Sequence, residues 1–212
     1  MRKSVHNIVV LVAIMVICCH SAHSQQERMN DFGLWTAADF DKKIGERWDA
    51  SLRLEHRTNE MSQKSSLWFV RPGVGYRATE WLKVALSYDF FHKTSDYQHR
   101  ILLDVIPTIK SGGLTCSLRE RFIVGYSPRH TAWSWLIRSR LTSKYSIKNS
   151  PLAVYLAFEL YANRQWTMMH NFAGIVIKVD ESSSFDIFYM FGLNHAIARQ
   201  DHVAGVTYQL RL

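Results

Sequence analysis

The last ten residues, Val203 to Leu212, alternate without a break. Ala204, Val206, Tyr208, Leu210 and Leu212 form one set, and Val203, Gly205, Thr207, Gln209 and Arg211 form the other. A period of two over such a run is a strand with one apolar and one mostly polar face. The same period recurs along the chain at intervals of about 16 residues, with turn chemistry between the segments. Leu34, Thr36, Ala38 and Phe40 make a first apolar face, and Trp48, Ala50, Leu52 and Leu54 make a second. Trp68, Val70, Val74 and Tyr76 follow, then Leu82, Val84, Leu86, Tyr88 and Phe90. Later segments begin near Gln98, Leu114, Trp133, Val154 and Phe185. Only residues 170–179 are apolar on both faces, so alternation does not orient them. The fold class is therefore all-β, and eleven segments can be counted.

One stretch does not fit this pattern. Arg2 and Lys3 precede an apolar run from Ile8 to Cys19, and Ala22-His23-Ser24 supplies small residues before Gln25. That order is the signature of a secretory signal peptide covering residues 1–24, and residues 25–212 then form a single domain. The run is only about a dozen residues, short of the ~20 a membrane helix needs. Loss of Arg2 and Lys3 takes the net charge from +8 to +6 and leaves Cys116 as the only thiol. With no internal disulfide available, stability must come from another source, and a closed ladder of backbone hydrogen bonds supplies it. The basic residues are spread along alternating strands rather than clustered, which argues against a nucleic-acid partner.

Two features orient the faces. The polar sets are rich in long side chains of both charges, which suits an ion-paired interior. Trp48, Trp81, Trp133, Trp166, Tyr97 and Tyr126 gather near segment ends, as the aromatic girdles of membrane barrels do. A soluble barrel of the lipocalin type would instead turn the apolar sets inward. The segments have about the 9–11 residues that cross a bilayer at a tilt. The expectation is an up-and-down antiparallel transmembrane β-barrel of about 10–12 strands in the bacterial outer membrane. The even-number rule for such barrels favours ten or twelve, the twelfth strand lying within residues 25–32. The C-terminal strand resembles the closing strand of these proteins, which carries their assembly signal, here Tyr208, Leu210 and Leu212. The short turns near Gly45, Thr79, Gly112, Asn149 and Ser183 then share the periplasmic side with Leu212. The implied partners are outer-membrane lipids, lipopolysaccharide and the barrel assembly machinery. Glu120 breaks the pattern, since alternation sets it between Leu118 and Phe122 on the lipid side; a local bulge would re-aim it.

Several short pieces together resemble an outer-membrane barrel family, domain of unknown function 2490. They are Leu34-Trp35, Arg57-Thr58-Asn59, Tyr97-Gln98-His99-Arg100, Arg119-Glu120-Arg121-Phe122 and Glu159-Leu160-Tyr161, within residues 31–212. The resemblance implies a barrel and an outer-membrane address. That family has no established activity, so no catalytic residue is carried over.

Three groups of residues are candidates for function. The polar faces bring Arg53, Glu55, Arg57, Arg71, Arg77, Asp89, Arg100, Asp104, Arg119, Arg121, Arg138, Arg140, Glu159 and Asp186 toward a lumen. They read either as an anion-selective constriction or as a plug in a barrel too narrow to conduct freely. His56, His92, His99, His130, His170, His195 and His202 all fall near the extracellular end, where they read as a rim able to hold a metal, haem or a lipopolysaccharide phosphate, or as residues tolerated at a polar edge. None of them has metal-ligand spacing, so neither metal nor cofactor is expected. The third group, Ser134 near His130 and Asn194-His195, would serve an outer-leaflet lipid hydrolase or acyltransferase, the alternative to a structural or binding barrel or narrow pore. No nucleophile elbow, phosphate loop or zinc motif is present.

Overall fold

The computed structural model describes residues 29–94, 96–163, 166–194 and 199–212. The leader read from the sequence, residues 1–24, and His195 lie outside them. Eleven strands follow one another: β1 (Met29–Ile44), β2 (Trp48–Asn59), β3 (Lys64–Arg77), β4 (Leu82–Lys93), β5 (Asp96–Ser111), β6 (Leu114–Ser127), β7 (Ala132–Ser146), β8 (Leu152–Ala162), β9 (Trp166–Lys178), β10 (Ser183–Asn194) and β11 (Arg199–Arg211). Each pairs antiparallel with its successor, and the sheet closes on itself.

An odd number of strands sends the first and the last in the same direction. β1 and β11 accordingly pair in parallel, from Met29 opposite Arg199 to Asp41 opposite Arg211. The even count does not hold. Residues 29–32 open β1 itself rather than a twelfth strand, and parallel pairing closes the ring as fully as an antiparallel seam would. β1 thus starts at the end of the barrel away from Leu212, whose amide bonds Asp41 O at 2.7 Å.

The hairpins are short at both ends. Between β2 and β3 only residues 60–63 turn the chain, since β2 runs to Asn59 and β3 begins at Lys64 across a register shift at Arg57/Thr58. At the Leu212 end, Gly45 (φ 78°), Gly112 (φ 58°) and Asn149 (φ 57°) take the left-handed conformation that tight turns demand, which Gly and Asn accept most readily.

The apolar sets look outward around the whole barrel. Leu52, Leu86, Ile101, Ile109, Phe122, Ile137, Leu156, Ile187 and Val206 are all exposed on its outer surface. Outward aromatics ring each end: Trp48 against Tyr76, Trp81 and Phe185 against Tyr208 at the Leu212 end, and Trp68 against Phe90 and Tyr126 against Trp133 at the other. Tyr208 and Leu210 lie on this outer face of β11, and Leu212 follows directly after the strand.

The ambiguous β9 settles in the same way. His170, Phe172, Gly174 and Val176 point inward, while Asn171, Ala173, Ile175 and Ile177 point outward. Gly174 faces the rings of its neighbours, and a Cβ there would lie 2.6 Å from Tyr155. The inner wall of β8–β11 thus holds an apolar cluster, with Tyr155, Ala157, Phe172, Met190 and Val203 buried against Trp35 and Phe188. Glu120 remains on the outer face with no bulge to re-aim it, since its register runs evenly from Val105 to Ser139. The Ser139 hydroxyl, 2.6 Å away on the same face, donates to its carboxylate instead.

Candidate luminal site

The charged half of the lumen is built by strand alternation. Every second residue of β2–β8 must point inward, and register then sets those residues in rows. One row runs Asp104, Arg121, Arg138, Tyr161 across β5–β8. The next runs Arg119, Arg140, Glu159, His170 across β6–β9. Four arginines on two adjacent strands thus make a square, with a carboxylate beside one corner of each row.

The carboxylates are held tightly. Asp104 accepts two hydrogen bonds from Arg121, both at 2.6 Å, in the bidentate geometry a guanidinium fork favours. Glu159, 0% exposed, accepts from Arg138 at 2.6 Å and from the Tyr161 hydroxyl at 2.7 Å. Arg119 and Arg140 reach the same Glu159 oxygen only at 3.6 and 3.7 Å, and His170 Nδ1 lies 3.4 Å from the other oxygen. Asp89, also 0% exposed, accepts from two nitrogens of Arg71. Around β1–β2, Arg53 joins Asp39 and Glu55, and Arg57 bonds Glu55 at 2.5 Å. Asp186 accepts the Tyr155 hydroxyl at 2.9 Å. Desolvating so many charges is tolerable only because they are paired and hydrogen-bonded.

Aromatic rings fill what the ion pairs leave. Arg57 lies 3.6 Å over Trp35, Arg100 lies 3.3 Å over Phe91 and Arg140 lies 4.3 Å over Phe172. Trp35 also packs edge-on to His170. Trp35 and Arg57 line two cavities at once: one of about 250 Å³ reaching toward the Leu212 end past Asp41, Asp49 and Gln209, and one of about 340 Å³ toward the Met29 end past Asp31, Lys93 and Arg199. They therefore stand between the two cavities.

The structure brings together thirteen of the fourteen charged residues named from the sequence. Arg77 stands apart, exposed at the end of β3. The network also takes in Asp39 and Trp35 of β1, Tyr161 of β8 and the Asp49–Lys83 pair, none of them among the fourteen. The inward parity of β1 carries the signal for Trp35 and Asp39, which alternate with the outward Leu34, Thr36, Ala38 and Phe40. Tyr161 is two residues from Glu159 on the same face.

The histidines do not form one rim. His170 is buried within the lumen, because its parity on β9 is inward. His56, His92, His99 and His202 point outward near the Met29 end: His56 bonds Ser65, His92 stacks on Trp68, and His99 and His202 bond Tyr88 and Tyr189. His130 sits in the β6–β7 turn, where its amide bonds Ser127. Among the described residues no three His, Cys, Asp or Glu side chains converge as metal ligands would. Ser134 directs its hydroxyl to Gly125 O at 3.5 Å rather than to His130.

A family model described as a protein of unknown function, DUF2490, matches residues 32–203. No curated protein matches the chain.

Proposed function

From the premise that the chain belongs to this family of unknown function, we propose that it is an outer-membrane barrel with a closed lumen, acting as a structural or binding element rather than an open pore. The single observation carrying this is the inversion of the faces: large apolar side chains cover the outside while Asp89 and Glu159 are fully buried inside. Soluble monomers rarely expose apolar patches beyond a few hundred Å². An apolar belt bounded by two aromatic rings is what a hydrocarbon layer requires of a strand protein. The secretory leader read from the sequence supports the same address. Trp35 and Arg57, between the two cavities and braced by Glu55 and His170, make a septum that supports closure over conduction.

Two measurements test this reading. In purified outer membranes the protein should run faster unboiled than boiled, the sign of a barrel that survives detergent. In planar bilayers it should give no steady ion conductance. A protein found soluble in the periplasm with no shift on boiling would sink the address, and steady channels would sink the closure.

A further inference from the structure

The two arginine rows do not balance locally. Arg121 and Arg138 each own a carboxylate at hydrogen-bond distance, whereas Arg119 and Arg140 share a distant claim on an oxygen that Arg138 already occupies. Arg119 and Arg140 stand directly opposite each other on β6 and β7. Like charges in that relation repel. Both side chains retain exposure, 26% and 22%, and both line the cavity of about 250 Å³ at the Leu212 end.

The carboxylates across the cavity do not answer this excess. Asp39 is taken by Arg53 and Asp49 by Lys83, and neither Asp186, which accepts the Tyr155 hydroxyl, nor Asp41 forms an ion pair with Arg119 or Arg140. A second observation points to a missing acceptor. Arg121, whose side chain is 5% exposed, lines the same cavity, and its Nη1 has no hydrogen-bond partner among the described residues. Arg119 Nε and Arg138 Nε are in the same condition. A packed interior rarely leaves three buried guanidinium nitrogens without acceptors.

We propose that this cavity binds a small oxyanion of the phosphate or sulfate class between Arg119 and Arg140. Such an anion presents several acceptor oxygens to planar guanidinium forks and relieves the repulsion across the β6–β7 ladder. Entry is from the Leu212 end, because Trp35 and Arg57 bar the other. The inference deepens the binding-barrel reading and rests on it only for the compartment that supplies the anion.

The test uses the full barrel folded in an uncharged detergent and titrated calorimetrically with sodium phosphate and sodium sulfate, against sodium chloride at equal ionic strength and pH. Wild type should show saturable one-site binding of phosphate or sulfate. Arg119→Gln and Arg140→Gln should each weaken it by about tenfold or more, and Arg77→Gln, at the exposed end of β3, should leave it unchanged. Folded wild type giving no saturable heat with either anion overturns the proposal, as does binding that survives both substitutions within about twofold. Should a variant fail to fold, the wild-type melt decides: phosphate must raise it beyond matched chloride, as ligand linkage requires. Channels in the bilayer with phosphate binding intact would overturn only the closed lumen, and a closed lumen without binding would overturn only the anion site.

Discussion

Glu159→Gln should be among the most damaging isosteric changes in this barrel. The side chain is 0% exposed and accepts from Arg138 at 2.6 Å and Tyr161 at 2.7 Å. Glutamine preserves the volume, so no cavity opens, and its carbonyl can still take the tyrosine proton. What disappears is the charge that compensates Arg138, which is itself largely buried. Breaking a buried pair by neutralising one partner costs roughly 3–5 kcal/mol. Arg119 and Arg140, more distant and partly solvated, add about 1 kcal/mol or less each and are left out of that figure. Equilibrium urea unfolding of the barrel in detergent, followed by tryptophan fluorescence, would measure the loss. The double variant Glu159→Gln/Arg138→Met should recover most of it, because neither charge then stays buried alone. A single-variant cost below about 1 kcal/mol, or a double variant no better than the single, would refute the reading of Glu159 as the buried counter-charge of Arg138.

Three other outcomes are expected. Trp35→Ala should open the septum and produce ion conductance in planar bilayers where wild type gives none; a silent variant would mean that the closure lies elsewhere. Because β1 and β11 are parallel, an epitope placed just before Met29 and one placed after Leu212 should lie on opposite sides of the membrane. Protease added to intact cells should remove the first and spare the second, and equal accessibility would rule out the eleven-strand closure. In the β9–β10 turn, the Ser183 hydroxyl and the amides of Ser182 and Ser183 hold the Asp180 carboxyl below its usual range. A depressed folded value stabilises above the unfolded pKa of ~3.9 and fades as pH falls through the folded one, so the stability gap between wild type and Asp180→Asn should shrink from about pH 5 downward. A gap unchanged down to pH 3 would contradict it.

Local chain chemistry determined a good deal of this protein. Because side chains on a strand alternate strictly, the inward or outward direction of Leu52, Arg53, Leu54 and Glu55 was legible residue by residue, and with it the charged lumen. Glycine and asparagine marked turns at Gly45, Gly112 and Asn149 because few other residues accept positive φ. Where both faces were apolar, as in residues 170–179, alternation had nothing to distinguish, and His170 read as a rim residue although it lies buried beside Glu159. Only the closed sheet decided the rest. Pairing β1 with β11 in parallel set the strand number at eleven and carried Trp35 into the lumen against Arg57 and His170. Register, which depends on how whole strands slide past one another, placed Arg119 opposite Arg140 and left Glu159 to three guanidiniums. Those contacts join residues far apart in the chain, and no local pattern specifies them.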